Sequence, residues 1–334
     1  MPQTSREIAI KCMSLTGPSR IGMVFSPDAD KKPRMNDFSF KSVDPKGYTQ
    51  KRWEDEKFEY YDDVWGNVWY RIKGFSAGGE ILTPAIKNWE DLKAYKPPDF
   101  ENSPDLARVK KEWLEEKNER FKMFGLPGFI FSASRYLRKM EIYFEDLALE
   151  QENIHKLHTL VAEVLEIVIN KAADAGADGI VYCEDWGTQD RTLISPDMFK
   201  KLFKPYYKRL LKVARQKNLL VEMHSCGYNW ALLPDIIDTG VSCFQFDQPT
   251  IYGLEKLGAY LQERKVCLFS PVDAQKVLPT GNKELIRQTA RDLVKYFHGK
   301  NGGFMAKDYP DLHGIGATVE SDRWAYETFL EFCK

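Results

Sequence analysis

Nowhere does an apolar run approach the roughly 18 residues of a membrane-crossing helix, so no helical span is expected. The opening residues Met1-Pro2-Gln3-Thr4-Ser5-Arg6-Glu7 lack the apolar stretch of a secretory signal, and a cytoplasmic location is expected. Neither charge sign is in excess: the formal net charge is −1, which argues against a nucleic-acid footprint or an anionic-membrane patch. The six cysteines follow no framework spacing and are expected to be reduced rather than paired. No Gly-x-Gly-x-x-Gly follows a strand-like segment, which disfavours a dinucleotide-binding sheet. No low-complexity linker divides the 334 residues, so one domain over 1–334 is expected.

What is present is the composition of a globular protein, 43% hydrophobic and 29% charged. Aromatic residues are plentiful, with 8 Trp, 16 Tyr and 20 Phe, enough for a deep core or a pocket for a flat ligand. Residues 5–15 read as a helix and 20–25 as a first strand. Residues 26–64 read as irregular, with the charge run Lys31-Lys32-Pro33-Arg34 expected in a solvated loop. Residues 63–71 alternate like a hairpin strand, and 102–119 read as a helix. From residue 121 the pattern becomes regular. In 154–173, Ile154, Leu157, Val161, Val164, Leu165 and Val168 form one apolar helical stripe. Short apolar strands at 179–183, 219–224, 241–246, 266–270 and 303–306 then alternate with helices at 196–217, 230–238, 253–263 and 282–298. This alternation predicts a parallel sheet covered on both faces, and the strand count favours a single (β/α)8 barrel. The barrel core is expected over about 18–320, with an irregular insertion at 26–120.

In such a barrel the loops after the strands share one rim. Five successive exits are polar: Glu184-Asp185 with Thr188-Gln189, His224-Ser225-Cys226, Gln245-Phe246-Asp247-Gln248, Ser270-Pro271-Val272-Asp273, and Lys307-Asp308-Tyr309 followed by His313. The exit at Val221-Glu222-Met223-His224-Ser225-Cys226-Gly227 carries imidazole and thiol at i and i+2, which an extended chain points to one side. Soft sulfur with nitrogen favours Zn²⁺ over Mg²⁺ or Ca²⁺. A catalytic zinc needs a third protein ligand and an open position, and the candidates for the third are His313 and Glu184. Read as inert, the same pair is a strand-end histidine beside a small hydrophobe. His155 and His158 are expected on a helix surface, His298 at a helix C-terminus, and Cys12, Cys183, Cys243, Cys267 and Cys333 in the core or near the termini.

The chain resembles the uroporphyrinogen decarboxylase superfamily over essentially its whole length. The resemblance is carried by Asp63-Val64-Trp65-Gly66, Ala173-Asp174-Ala175-Gly176-Ala177-Asp178-Gly179, Glu184-Asp185-Trp186-Gly187-Thr188-Gln189, Ile194-Ser195-Pro196-Asp197-Met198-Phe199, Lys204-Pro205-Tyr206-Tyr207 and, above all, His224-Ser225-Cys226-Gly227. The His-x-Cys motif resembles the branch of cobamide-dependent methyltransferases. That branch implies zinc on His224 and Cys226, a corrinoid (methylcobamide) co-substrate, free or on a partner corrinoid protein, and a small-molecule methyl donor or acceptor. Where the branch has Cys-Gly-Ile near its C-terminus, this chain has His313-Gly314-Ile315, an imidazole that removes one negative charge from the site. From the polar strand exits, Glu184, Asp185 and Tyr309 are catalytic candidates and Gln189, Asp247 and Asp273 cofactor- or substrate-contacting ones. The loop after strand one, Ser26-Pro27-Asp28-Ala29-Asp30, is acidic where gripping a polycarboxylate tetrapyrrole would need arginine, which disfavours decarboxylation. Three alternatives remain: a demethylase-type enzyme for a methoxylated compound or methylamine, a decarboxylase-like enzyme, and a non-catalytic corrinoid- or tetrapyrrole-binding barrel.

Overall fold

A computed structural model describes residues 2–74 and 78–333. The chain opens with α1 (Ser5–Ser14), β1 (Gly22–Val24) and β2 (Phe38–Lys41). An excursion follows: β3 (Arg52–Glu54), β4 (Phe58–Asp62), β5 (Val68–Ile72) and β6 (Glu80–Thr83) pair antiparallel in sequence order, then α2 (Trp89–Ala94) and α3 (Asp105–Glu115) return the chain to the core. From there strands and helices alternate: β7 (Phe121–Gly125), α4 (Ile130–Arg138), α5 (Met140–Leu149), α6 (Gln151–Asp174), β8 (Gly179–Cys183), α7 (Pro196–Leu202), α8 (Lys204–Gln216) and β9 (Leu220–His224). The run ends with α9 (Leu233–Ile237), β10 (Cys243–Gln245), α10 (Leu254–Arg264), β11 (Cys267–Ser270), α11 (Lys283–Phe297), β12 (Phe304–Lys307) and α12 (Val319–Leu330). The eight parallel strands β1, β2 and β7 to β12 form a nearly closed (β/α)8 barrel in the order β1-β12-β11-β10-β9-β8-β7-β2.

Strand alternation builds two shells. Inward-facing Phe38, Phe121, Met123, Cys243, Cys267, Phe269 and Met305 fill the barrel and are sealed by Ile8, Ala9, Cys12 and Met13 of α1. Ile180, Tyr182, Val221, Met223, Phe244 and Leu268 face outward and pack beneath the helices. Because α1 plugs the N-terminal end, only the end where the strands terminate stays open to ligands. The seam between β1 and β2 is closed by Asp37. Its backbone N–H donates to the Met23 carbonyl at 2.7 Å, and its buried carboxylate accepts from Arg20 at 2.6 Å and from the Met23 N–H at 2.8 Å.

Five expectations need correction. The region read as irregular contains a barrel strand, β2, and a four-stranded sheet. Phe38-Ser39-Phe40-Lys41 has only four residues, and Phe40 is 58% exposed, so its apolar signal is short and depends on pairing with β7. Arg34, in the run expected to be solvated, is instead buried and paired with Asp308 at 2.8 Å and Asp322 at 2.6 Å. His158 is fully buried rather than on the surface: Nδ1 lies 3.0 Å from the Leu202 carbonyl and Nε2 lies 2.6 Å from the Tyr143 hydroxyl. A neutral ring that donates from Nδ1 and accepts at Nε2 satisfies both partners, and burial pushes its pKa down to about 3. The 196–217 helix is divided at Phe203, because Pro205 supplies no N–H for the Lys201 carbonyl and instead sits in the first turn of a new helix. Cys12, Cys243 and Cys267 are buried as expected, while Cys183 is exposed at the end of β8.

Candidate metal centre at the barrel mouth

The ends of β8 and β9 lie side by side, with Cys183 registered opposite His224. The two loops that leave them touch through glycines. Gly227 has φ +76°, and a Cβ there would collide with the Gly187 backbone. This close approach brings Asp185 against the His224-Cys226 pair. The Cys226 N–H donates to Asp185 Oδ1 at 2.8 Å, and His224 Nε2 lies 3.5 Å from that oxygen and 3.4 Å from Cys226 Sγ. One donor atom from each of Asp185, His224 and Cys226 falls within 4.8 Å of the others, so they could hold one ion. Gly227→Ala is expected to destabilise the protein by about 2 kcal/mol or more and to separate these loops. Chemical denaturation measures the first effect and metal affinity the second.

The imidazole is oriented from behind. Its Nδ1–H donates to Gln245 Oε1, Gln245 Nε2 donates to Asp247 Oδ1 at 2.7 Å, and Lys307 Nζ donates to the same oxygen at 3.3 Å. This chain fixes the tautomer and turns Nε2 toward the open side, as the outer contacts of a metal-bound histidine do. Burial alone would lower the His224 pKa, but the bonds to Asp185 and Cys226 outweigh it and hold the pKa well above its ordinary value. For Asp185, burial pushes the pKa up, while the His224 contact and the Cys226 N–H bring it down to about 2. Replacing Gln245 with Leu is expected to weaken metal binding about 10- to 100-fold and to cost about 1–3 kcal/mol of stability, since His224 and Asp247 each lose a buried partner. A chelator competition titration would measure the binding.

The remaining candidates are placed differently. Glu184, fully buried, turns away from the ion-binding group: its Oε1 accepts from the N–H groups of Phe131 at 2.6 Å and Ser132 at 3.0 Å, capping α4. Burial pushes its pKa up to about 8 despite those bonds. His313 is exposed on the loop after β12 and lies outside the ion-binding group. Gln189 is exposed as well. Asp273 is fully buried and spent on its own surroundings, accepting from the N–H groups of Gln275 and Lys276 and from Thr250. Tyr309 is half-buried at the mouth, and burial, then the nearby Asp247 and Cys226, push its pKa up. Two further polar residues, Gln245 and Glu222, complete the site. Glu222 is two residues before His224 on the inward face, 5% exposed, with Oε2 unpartnered, and burial pushes its pKa up to about 7. The i−2 spacing that pairs Cys226 with His224 also points to Glu222.

Two cavities flank the centre. One of about 790 Å³ lies inside the barrel, between Val24, Phe38, Met123, Glu222, Phe269 and Lys307. The other, of about 590 Å³, lies between the four-stranded sheet and α4–α5 and reaches Asp185.

A (β/α)8 barrel with titratable groups converging at its open end is the architecture of an enzyme. The chain belongs to the uroporphyrinogen decarboxylase (URO-D) family, whose model matches residues 75–307. Among characterised relatives, the methylated-thiol–coenzyme M methyltransferase of Methanosarcina mazei is 25% identical over 142 residues, covering 42% of this chain and 36% of that protein. The uroporphyrinogen decarboxylase of Chlorobium limicola is 23% identical over 272 residues, covering 77% of this chain and 72% of the relative. A solved structure of a methyltransferase from Methanosarcina mazei superposes with a TM-score of 0.61 at 17% identity, covering 81% of this chain and 77% of the other. Among the described residues, no helix is long and apolar enough to cross a membrane.

Proposed function

We propose that this chain is a zinc-dependent methyltransferase that moves a methyl group between a corrinoid, free or on a partner protein, and a small thiol or methylated substrate. The observation that carries the reading is the convergence of Cys226 Sγ, His224 Nε2 and an Asp185 oxygen at the open end of the barrel. One thiolate, one neutral imidazole and one carboxylate balance the charge of a divalent zinc and leave a position for substrate. Asp185 thereby supplies the negative charge that a ligand at His313 would lack. Zinc held there would act as a Lewis acid, keeping a thiol ionised at neutral pH or stabilising the heteroatom that loses its methyl.

The chain's own residues do the rest. Gln245, fixed by Asp247 and Lys307, holds the His224 ring so that Nε2 faces the substrate side. The raised His224 pKa means this nitrogen must release a proton before it can ligate, so metal affinity falls with pH. In the transfer itself, the bond from the methyl carbon to its donor atom breaks and the electron pair stays with that atom. A lone pair on the acceptor forms the new bond. The methyltransferase relative supports the reaction class. Decarboxylation is disfavoured because the described arginine on the loop after β1, Arg34, is already committed to Asp308 and Asp322.

The test combines elemental analysis with spectroscopic demethylation of methylcobalamin by a thiol panel. A second panel of methoxyarenes and methylamines with reduced cobalamin covers the reverse direction. About one zinc per chain and turnover with a substrate from either panel are expected. Metal-free protein, or binding without turnover in both panels, would overturn the proposal.

A further inference from the structure

The cavity between the four-stranded sheet and α4–α5 touches the metal centre at Asp185, yet nothing in that centre accounts for its other walls. Two residues of α4 form one side. Arg135 lies between rings, its guanidinium carbon 5.0 Å from the Phe131 centroid and 4.9 Å from the Tyr136 centroid. Nη2 donates to the Tyr136 hydroxyl at 3.0 Å, while the buried Nε has no partner. Among the described residues Arg135 forms no ion pair, and neither does Lys139 beside it. The acidic residues of the cavity, Glu80 and Glu141, are exposed at its rim, whereas Arg135 and Lys139 are half-buried. The inner carboxylate, Asp185, is drawn into the ion-binding group. With that carboxylate turned to the ion-binding group and the two glutamates at the rim, Arg135 and Lys139 are the charged groups of the inner wall.

The adjoining wall is aromatic. Trp69 of β5 packs edge-on against Tyr136, with ring centroids 4.6 Å apart and an interplanar angle of 69°. Trp69 is itself held by its indole N–H, which donates to Asp63 at 2.7 Å. Phe144 of α5 lines the same space. A volume of about 590 Å³ is of the size that takes a small ligand.

We infer that this cavity binds the small substrate, and that this substrate is an organic anion with a flat apolar body, its charged end on Arg135 and its body against the aromatic surface of Trp69, Tyr136 and Phe144. A guanidinium held against two rings and tied to the Tyr136 hydroxyl is pre-oriented, so a carboxylate meets a fixed cation rather than a mobile chain. The inference rests on the methyl-transfer reading for what happens to the ligand, but binding itself needs no turnover.

The test is calorimetric titration of the intact protein with 4-methoxybenzoate and with its neutral analogue 4-methoxybenzyl alcohol. The anion is expected to bind about tenfold or more tightly than the alcohol, the scale of a hydrogen bond to a charged group. In Arg135→Met the preference is expected to vanish with zinc content unchanged. Arg135→Gln, which keeps a planar polar group over the rings, provides the same comparison if the Met variant does not fold. Equal affinity for the two ligands, or a preference that survives in a folded Arg135 variant, overturns the inference. An Arg135-dependent preference in protein that lacks zinc or methyl transfer upholds the anion site and overturns the methyltransferase reading. Methyl transfer without that preference does the reverse.

Discussion

Cys226→Ser is expected to fold normally, lose its zinc and lower methyl transfer on the order of 10³-fold, since Lewis-acid stabilisation contributes several kcal/mol to the barrier. A serine hydroxyl stays protonated at neutral pH and is a hard donor, so the centre would lose both an anion and its soft ligand. Folding should survive, because the side chain is only half-buried and the backbone N–H at this position still reaches Asp185. Asp185→Asn is expected to weaken zinc as well, by removing the second anion. His313→Ala should leave metal content unchanged, since that ring is exposed and outside the group formed by Asp185, His224 and Cys226. Elemental analysis of the three variants decides the third ligand. Full zinc in Cys226→Ser would rule out a metal role for the His-x-Cys motif.

Glu184→Gln is expected to change how stability depends on pH. Burial raises the Glu184 pKa to about 8, above the value near 4.3 of an unfolded chain. Between those values the folded state holds a proton that the unfolded state releases, so stability falls as pH rises. The slope reaches at most about 1.4 kcal/mol per pH unit. Gln imitates the protonated acid and keeps an oxygen for the Phe131 and Ser132 N–H groups, so this contribution should disappear. His158 works in the opposite sense. Its lowered pKa makes the unfolded state the better proton binder between about 3 and 6.5, so stability is lost as pH falls through that window. Because His158 is the same in both proteins, the difference between their denaturation curves isolates Glu184. That difference should widen in favour of the variant from pH 5 to pH 8; parallel curves would show that Glu184 is ionised in the fold.

Much of this was legible in the residues. The strands at β7 to β12 announced themselves through continuous apolar runs between amphipathic helices, because a sheet buried on both faces cannot spare polar positions. His224 and Cys226 were legible because spacing along one strand is a local property. Glu222 obeys the same spacing but was missed, since a single acid in a strand gives no sign of which ring of neighbours will enclose it. β2 was missed because its four residues gain their stability from β7 and from the Asp37 seam, both supplied by other parts of the chain. Glu184 and Asp185 are neighbours in the chain, and sequence weighed Glu184 as a ligand and Asp185 as a catalytic group. In an extended segment adjacent side chains leave on opposite sides, so one caps α4 while the other meets His224.

By itself, then, the sequence determined the barrel, its open end and two of the three members of the candidate ion-binding group, because periodicity and i, i+2 spacing act over a few residues. Only the tertiary structure brought Asp185 to the His224-Cys226 pair and Trp69 to the wall proposed for substrate. Asp185 joins Cys226 across 41 positions because Gly187 and Gly227 let two loops touch, and Arg135 faces Trp69 because an antiparallel sheet inserted far upstream folds back over α4. Contacts of that range depend on how the elements close around one another, and no local pattern carries them.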